Sequence, residues 1–72
     1  MLYELWEISS SNLIGAYDTE EAALEVVREA AANHGRRYLA TWALASVAPD
    51  GETTTLARGT ALASRALRLM PT

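Results

Sequence analysis

Histidine is the usual side chain for moving protons near neutral pH, and this sequence has one, His34. A catalytic base needs a nucleophile or proton donor within hydrogen-bond reach. The hydroxyl candidates Ser9, Ser10 and Ser11 form a polar run between two apolar segments, remote in sequence from His34. The role expected of His34 is to sit near a helix C-terminus, where a cationic ring suits the dipole. Carboxylates come as Glu4 with Glu7 and as Glu20, Glu21, Glu25 and Glu29. Acid/base pairs need one carboxyl raised by apolar surroundings, whereas the second set follows helical spacing and points outward. Glu4 is different: it shares a strand face with Leu2, Trp6 and Ile8, and Arg36, Arg37 and Arg58 are its candidate partners across a sheet or interface. The glycines at 15, 35, 51 and 59 stand singly, so no phosphate-cradling loop is present. With no cysteine and one histidine, a zinc centre would have to be built from carboxylates. The sequence therefore predicts no catalytic, cofactor-binding or metal-binding residues, and a protein that is not an enzyme.

Aromatic and arginine side chains are the remaining candidates. Trp6, Trp42, Tyr3, Tyr17 and Tyr38 lie in or beside apolar runs. A platform that stacks bases interleaves such rings with basic residues, and the first and third apolar runs carry none along their length. Packing in a core or an interface is the expected use, which makes Tyr3, Trp6, Trp42 and Leu44 candidate interface residues. Arg58, Arg65 and Arg68 are candidate contacts to an anionic partner, since Arg65 and Arg68 are one helical turn apart.

The chain has 72 residues, half of them hydrophobic, with no phenylalanine. That suffices for a single domain over 1–72 with one shallow core. Small domains without disulfides or metals usually need idealised packing or a partner chain, so a homodimer is expected. Up to Gly35 seven acids face Arg28, and beyond it five arginines face Asp50 and Glu52, so the halves carry −6 and +3 within a net charge of −3. Acidic balance argues against sequence-independent nucleic-acid binding, and the polarity suits self-association or a partner of mixed charge. No stretch approaches the ~20 apolar residues of a membrane span, and no basic segment leads into an apolar run, so no membrane partner and a cytoplasmic location are expected.

The elements follow from pattern and punctuation. Leu2–Ile8 and Asn12–Tyr17 are apolar runs joined by Ser9–Asn12, a β-hairpin pattern. In the first strand both faces are partly apolar, Leu2, Trp6 and Ile8 on one and Tyr3 and Leu5 on the other, which predicts that both faces are covered, with a partner chain as one way to cover the second. Asp18 with Glu21 three residues on forms a capping box, so a helix is expected over about Thr19–His34, with Ala22, Ala23, Val26, Val27, Ala30 and Ala31 inward and Gly35 as its stop. Tyr38–Ala48 is apolar on both alternating sets, Tyr38, Trp42 and Leu44 against Leu39, Ala43 and Val47, as in a central strand. Ala48-Pro49-Asp50-Gly51-Glu52 is a turn, and Glu52–Ala57 with three threonines is a polar edge strand. Thr60 can cap a short helix with Leu62, Ala63, Ala66, Leu67, Leu69 and Met70 along one side, ended by Pro71. The composite is an α+β, two-layer ββαββα domain. Its sheet is four-stranded and mainly antiparallel in the order 2-1-3-4, because a right-handed crossover through the long helix places the third strand beside the first.

The stretch Tyr3–Gly35 resembles a family of short bacterial proteins to which no activity is assigned. The likeness rests on Tyr3-Glu4-Leu5-Trp6, on Ser10-Ser11-Asn12-Leu13-Ile14 and on Asp18-Thr19-Glu20-Glu21-Ala22-Ala23-Leu24. The start of that helix is also similar to small antitoxins with a partial RNase H-like sheet. Three functional expectations result. The leading one is a self-associating interaction or regulatory module. The alternatives are a small-molecule sensor with an apolar pocket between sheet and helices, and an antitoxin-like or nucleic-acid-associated partner using Arg58, Arg65 and Arg68.

Overall fold

In the computed structural model, which describes residues 1–69, the first two apolar runs pair as antiparallel strands β1 (Leu2–Glu7) and β2 (Asn12–Tyr17). Helix α1 (Glu20–His34) follows, then a 3-10 turn (Arg36–Leu39), β3 (Trp42–Val47), β4 (Thr53–Arg58) and α2 (Thr60–Leu69). The sheet order is β2-β1-β3-β4, and every neighbouring pair is antiparallel. The expected ββαββα order and 2-1-3-4 sheet are thus the observed ones. Met70 and Pro71, assigned to the last helix and its end by the sequence, lie outside the described residues.

Local chemistry explains the boundaries and corrects three of them. Thr19, not Asp18, caps α1: its backbone is extended and its Oγ1 accepts from the Ala22 N–H at 3.1 Å, satisfying an otherwise unpaired donor of the first turn. Gly35 ends the helix at φ +85°, its N–H donating to the Ala31 carbonyl at 2.8 Å. The third strand then begins only at Trp42. Tyr38 and Leu39 are in the 3-10 turn, which drives Leu39 fully into the core and leaves Tyr38 half exposed, stacked on His34 at 4.3 Å between ring centroids. Gly59, not Thr60, occupies the position before α2, where its carbonyl accepts from the N–H groups of Leu62 and Ala63 at φ +61°.

Both helices lie on one side of the sheet, α1 against β1 and β2, α2 against β3 and β4, and they touch each other. Leu5 and Leu44, opposite one another in register, point into this layer and meet Leu24, Val27, Leu39 and Leu62, all essentially without solvent exposure. Among the described residues, leucines supply most of the bulk packed between sheet and helices. Leu24 belongs to the inner arc of α1 together with Ala23 and Val27, and Glu20, one turn earlier, is half-buried where it pairs with Arg65 of α2. Leu67, expected inward, is 49% exposed. On the edge strands, bulges insert Ile14 opposite Leu5/Trp6 and Leu56 opposite Leu44/Ala45, and both extra residues pack onto the core. Bulges of this kind also blunt a sheet edge against further pairing.

Candidate functional site

Strand alternation sends the other half of each strand's side chains to the face that no helix covers. On β1 these are Leu2, Glu4 and Trp6, continued by Ile8, and on β3 they are Ala43, Ala45 and Val47. The register sets Trp6, Ala43 and Arg58 in one row across three strands, with Glu4, Ala45 and Thr55 in the next. Small side chains on the central strand between larger ones on its neighbours leave a groove. It has a volume of about 370 Å³, with Ala43 and Ala45 as floor, Trp6 and Ile8 on one wall, Thr53, Thr55 and Arg58 on the other, and Ser11 at the end of the hairpin loop. The volume lies in the range of small-molecule sites and of the recesses that receive a partner's side chain.

The charged groups on this face, among the described residues, are Glu4 and Arg58. The Trp6 indole N–H donates to Glu4 Oε1 at 3.1 Å, which fixes both side chains on β1. Arg58 makes no ion pair among the described residues, in contrast to Arg65, whose guanidinium bonds Glu20, a hydrogen bond that raises its pKa further. Arg58 thus faces the groove while Arg65 belongs to the helix layer. The three arginines singled out in the sequence do not form one patch.

No known protein family, curated protein or solved structure matches the chain. The site must be read from its own chemistry.

Of the four candidate interface residues, the structure brings only Trp6 to the open face. Leu44 is fully buried and Trp42 is 8% exposed on the helix side, while Tyr3 is half-buried against the same core. Their apolar character is used within the chain. The groove residues that the sequence did not single out are Ala43, Ala45, Thr53 and Thr55, and Ser11, considered there only as a hydroxyl candidate, lines the groove as well. A signal for them exists in the alternation of large and small residues, Trp42 and Leu44 against Ala43 and Ala45, which assigns bulk to one face of β3 and space to the other.

A second polar cluster sits at the β1–β2 loop. Glu7 Oε1 accepts from the Ser9 hydroxyl at 2.7 Å, the Ser10 N–H at 2.8 Å and the Ser10 hydroxyl at 2.7 Å, and Oε2 accepts from the Thr41 hydroxyl. These donors, Thr41 foremost and then Ser9 and Ser10, lower the Glu7 pKa to about 2. A carboxylate so stabilised is a poor proton acceptor, and the hydroxyls it holds are donors already engaged. The arrangement ties the hairpin loop to the residue preceding β3. His34 stacks instead on Tyr38, which in turn meets Trp42 with ring centroids 5.7 Å apart. The imidazole and the serines therefore engage different partners. Among the described residues, no group of three or more histidine, cysteine, aspartate or glutamate side chains is placed to hold a metal ion, and no helix is long and apolar enough to cross a membrane.

Proposed function

We propose that this chain is a non-enzymatic interaction module that self-associates through the open face of its sheet. The observation that carries the reading is the pairing of an uncovered apolar sheet face with a core already closed on the other side. Leu2, Ile8 and Leu13 are 44%, 47% and 48% exposed and lie with Trp6 on that face. Exposed apolar side chains gathered on one sheet face suit an interaction site, and covering them returns ~25 cal/mol for each Å² removed from water. Four strands of six residues present a face of about 20 × 19 Å, about 400 Å², which sets the scale of the surface a second copy would cover. Sedimentation velocity across micromolar concentrations tests the reading. A concentration-dependent dimer is expected, and a monomer throughout the range overturns it.

A second reading has one specific observation in its favour, the placement of Trp6 and Arg58 on facing walls of the groove. An aromatic wall and an unpaired guanidinium suit a small flat anion. Titration with aromatic carboxylates, followed by amide shifts of Ala43, Ala45 and Thr55, distinguishes it: saturable shifts confined to these residues in a monomeric sample favour the sensor over the self-associating module.

A further inference from the structure

The open face carries one acid and one arginine on opposite sides of its groove. Neighbouring strands are ~4.8 Å apart and same-face rows ~6.8 Å apart, so the backbones of Glu4 and Arg58 are about 12 Å apart on a diagonal. That diagonal crosses β3 between Ala43 and Ala45, at the middle of the groove floor. The two side chains do not pair with each other, and Glu4 keeps its Oε2 free of hydrogen bonds among the described residues while Oε1 holds the Trp6 indole.

We propose that two copies pair face to face about a twofold axis lying in the plane between their sheets and crossing that diagonal at right angles over β3. Each Glu4 then meets Arg58 of the partner subunit, and each Trp6 ring is set over the partner's Ala43. The proposal rests on the self-association reading and names its geometry. In an isologous interface a contact from position i to position j is repeated from j to i, so a face bearing one acid and one base on either side of its centre forms two ion pairs at once. The face is complementary to itself in shape as well, because the indole that flanks the groove is also the bulk able to enter it. The axis sets the strands of the two sheets steeply across one another, the orthogonal class of sheet packing. Charged pairs enclosed by such an interface give specificity, because two like charges facing one another disfavour other registers.

The charge-exchange experiment uses the full chain. Glu4→Arg gives a face with two positive groups and Arg58→Glu a face with two negative groups. Both positions are at the surface, so circular dichroism is expected to show wild-type helix and strand content for each variant. In sedimentation velocity each variant alone is expected to associate at least about tenfold more weakly than wild type, and an equal mixture is expected to recover the dimer as a heterodimer, since both pairs are then opposite in charge. Glu4→Gln retains an acceptor for the Trp6 indole and loses the charge, and it is expected to weaken association several-fold. A monomeric wild type overturns self-association and this pairing with it. A dimeric wild type whose variants dimerise equally well, or whose weakened variants are not rescued by mixing, overturns the pairing and leaves self-association standing, as does unchanged association of Glu4→Gln.

Discussion

Trp6 and Glu4, two residues apart on β1, are joined by an indole N–H to carboxylate hydrogen bond of 3.1 Å on the one sheet face that no helix covers. Trp6 is therefore held in a fixed pose at the surface without belonging to the core of Leu5, Leu24, Leu39, Leu44 and Leu62. Folding and association are expected to separate at this residue. Trp6→Ala should lower the unfolding free energy of the monomer by less than about 2 kcal/mol, while costing at least about 2 kcal/mol in association, the threshold for an interface hot spot. Chemical denaturation at low concentration measures the first quantity and sedimentation the second. Equal losses in both would place Trp6 in the core instead.

Leu44 is expected to behave in the opposite way. It lies under the helices without solvent exposure and faces Leu5 in the register of the two central strands. Leu44→Ala should cost about 2–5 kcal/mol of stability, the range for a leucine whose cavity cannot collapse. Urea unfolding measures it. A loss under about 1 kcal/mol would mean that the layer is loosely packed.

Much of the fold was legible in the sequence because hairpin punctuation and helical periodicity are local signals. The order β2-β1-β3-β4 follows once two hairpins are joined by one crossover helix. The face of each strand was not legible. β1 is apolar on both alternating sets, so parity alone does not say whether Tyr3 and Leu5 or Leu2 and Trp6 lie under the helices. That choice is made by the non-local match of Leu5 and Leu44 to Leu24 and Leu62. For the same reason Trp42 and Leu44 looked like partner-facing residues when their bulk is used internally. The apolar neighbours of Leu39 read as a strand, yet the chain leaves Gly35 in a 3-10 turn that reaches the core by a different backbone path.

The Glu7 cluster makes stability depend on pH in a defined direction. Its carboxyl pKa falls from 4.5 to about 2 on folding, with the Thr41 hydroxyl as the largest cause. A carboxylate with a depressed folded pKa contributes stability that is complete above its unfolded value and is lost as pH falls through the folded one. The contribution of Glu7 is therefore full above about pH 5 and fades between about pH 4.5 and 2. A carboxyl titration by NMR should find the Glu7 midpoint near 2, and Glu7→Gln should flatten the acid limb of the stability profile. A midpoint in the ordinary carboxylate range would show that the hydroxyls do not hold this group in solution.

The two hairpin turns use the same geometry with different residues. In the second, the Gly51 N–H donates to the Ala48 carbonyl at 2.8 Å and Gly51 takes φ +90°, with Asp50 Oδ1 accepting from the Glu52 N–H at 3.0 Å. In the first, the Ser11 N–H donates to the Ile8 carbonyl at 3.2 Å and Ser11 takes φ +57°, a left-handed conformation that costs an L-residue ~1 kcal/mol. Glycine relieves that cost at Ser11, whereas a Cβ introduces it at Gly51, where no neighbouring atom crowds the position and only the backbone is penalised. Ser11→Gly should therefore stabilise the fold by up to about 1 kcal/mol, and Gly51→Ala should destabilise it by about 1–2 kcal/mol. Thermal unfolding of the two variants beside wild type measures both signs. Because Ser11 also closes one end of the groove, its gain in stability should come with unchanged association if the serine hydroxyl takes no part in the interface.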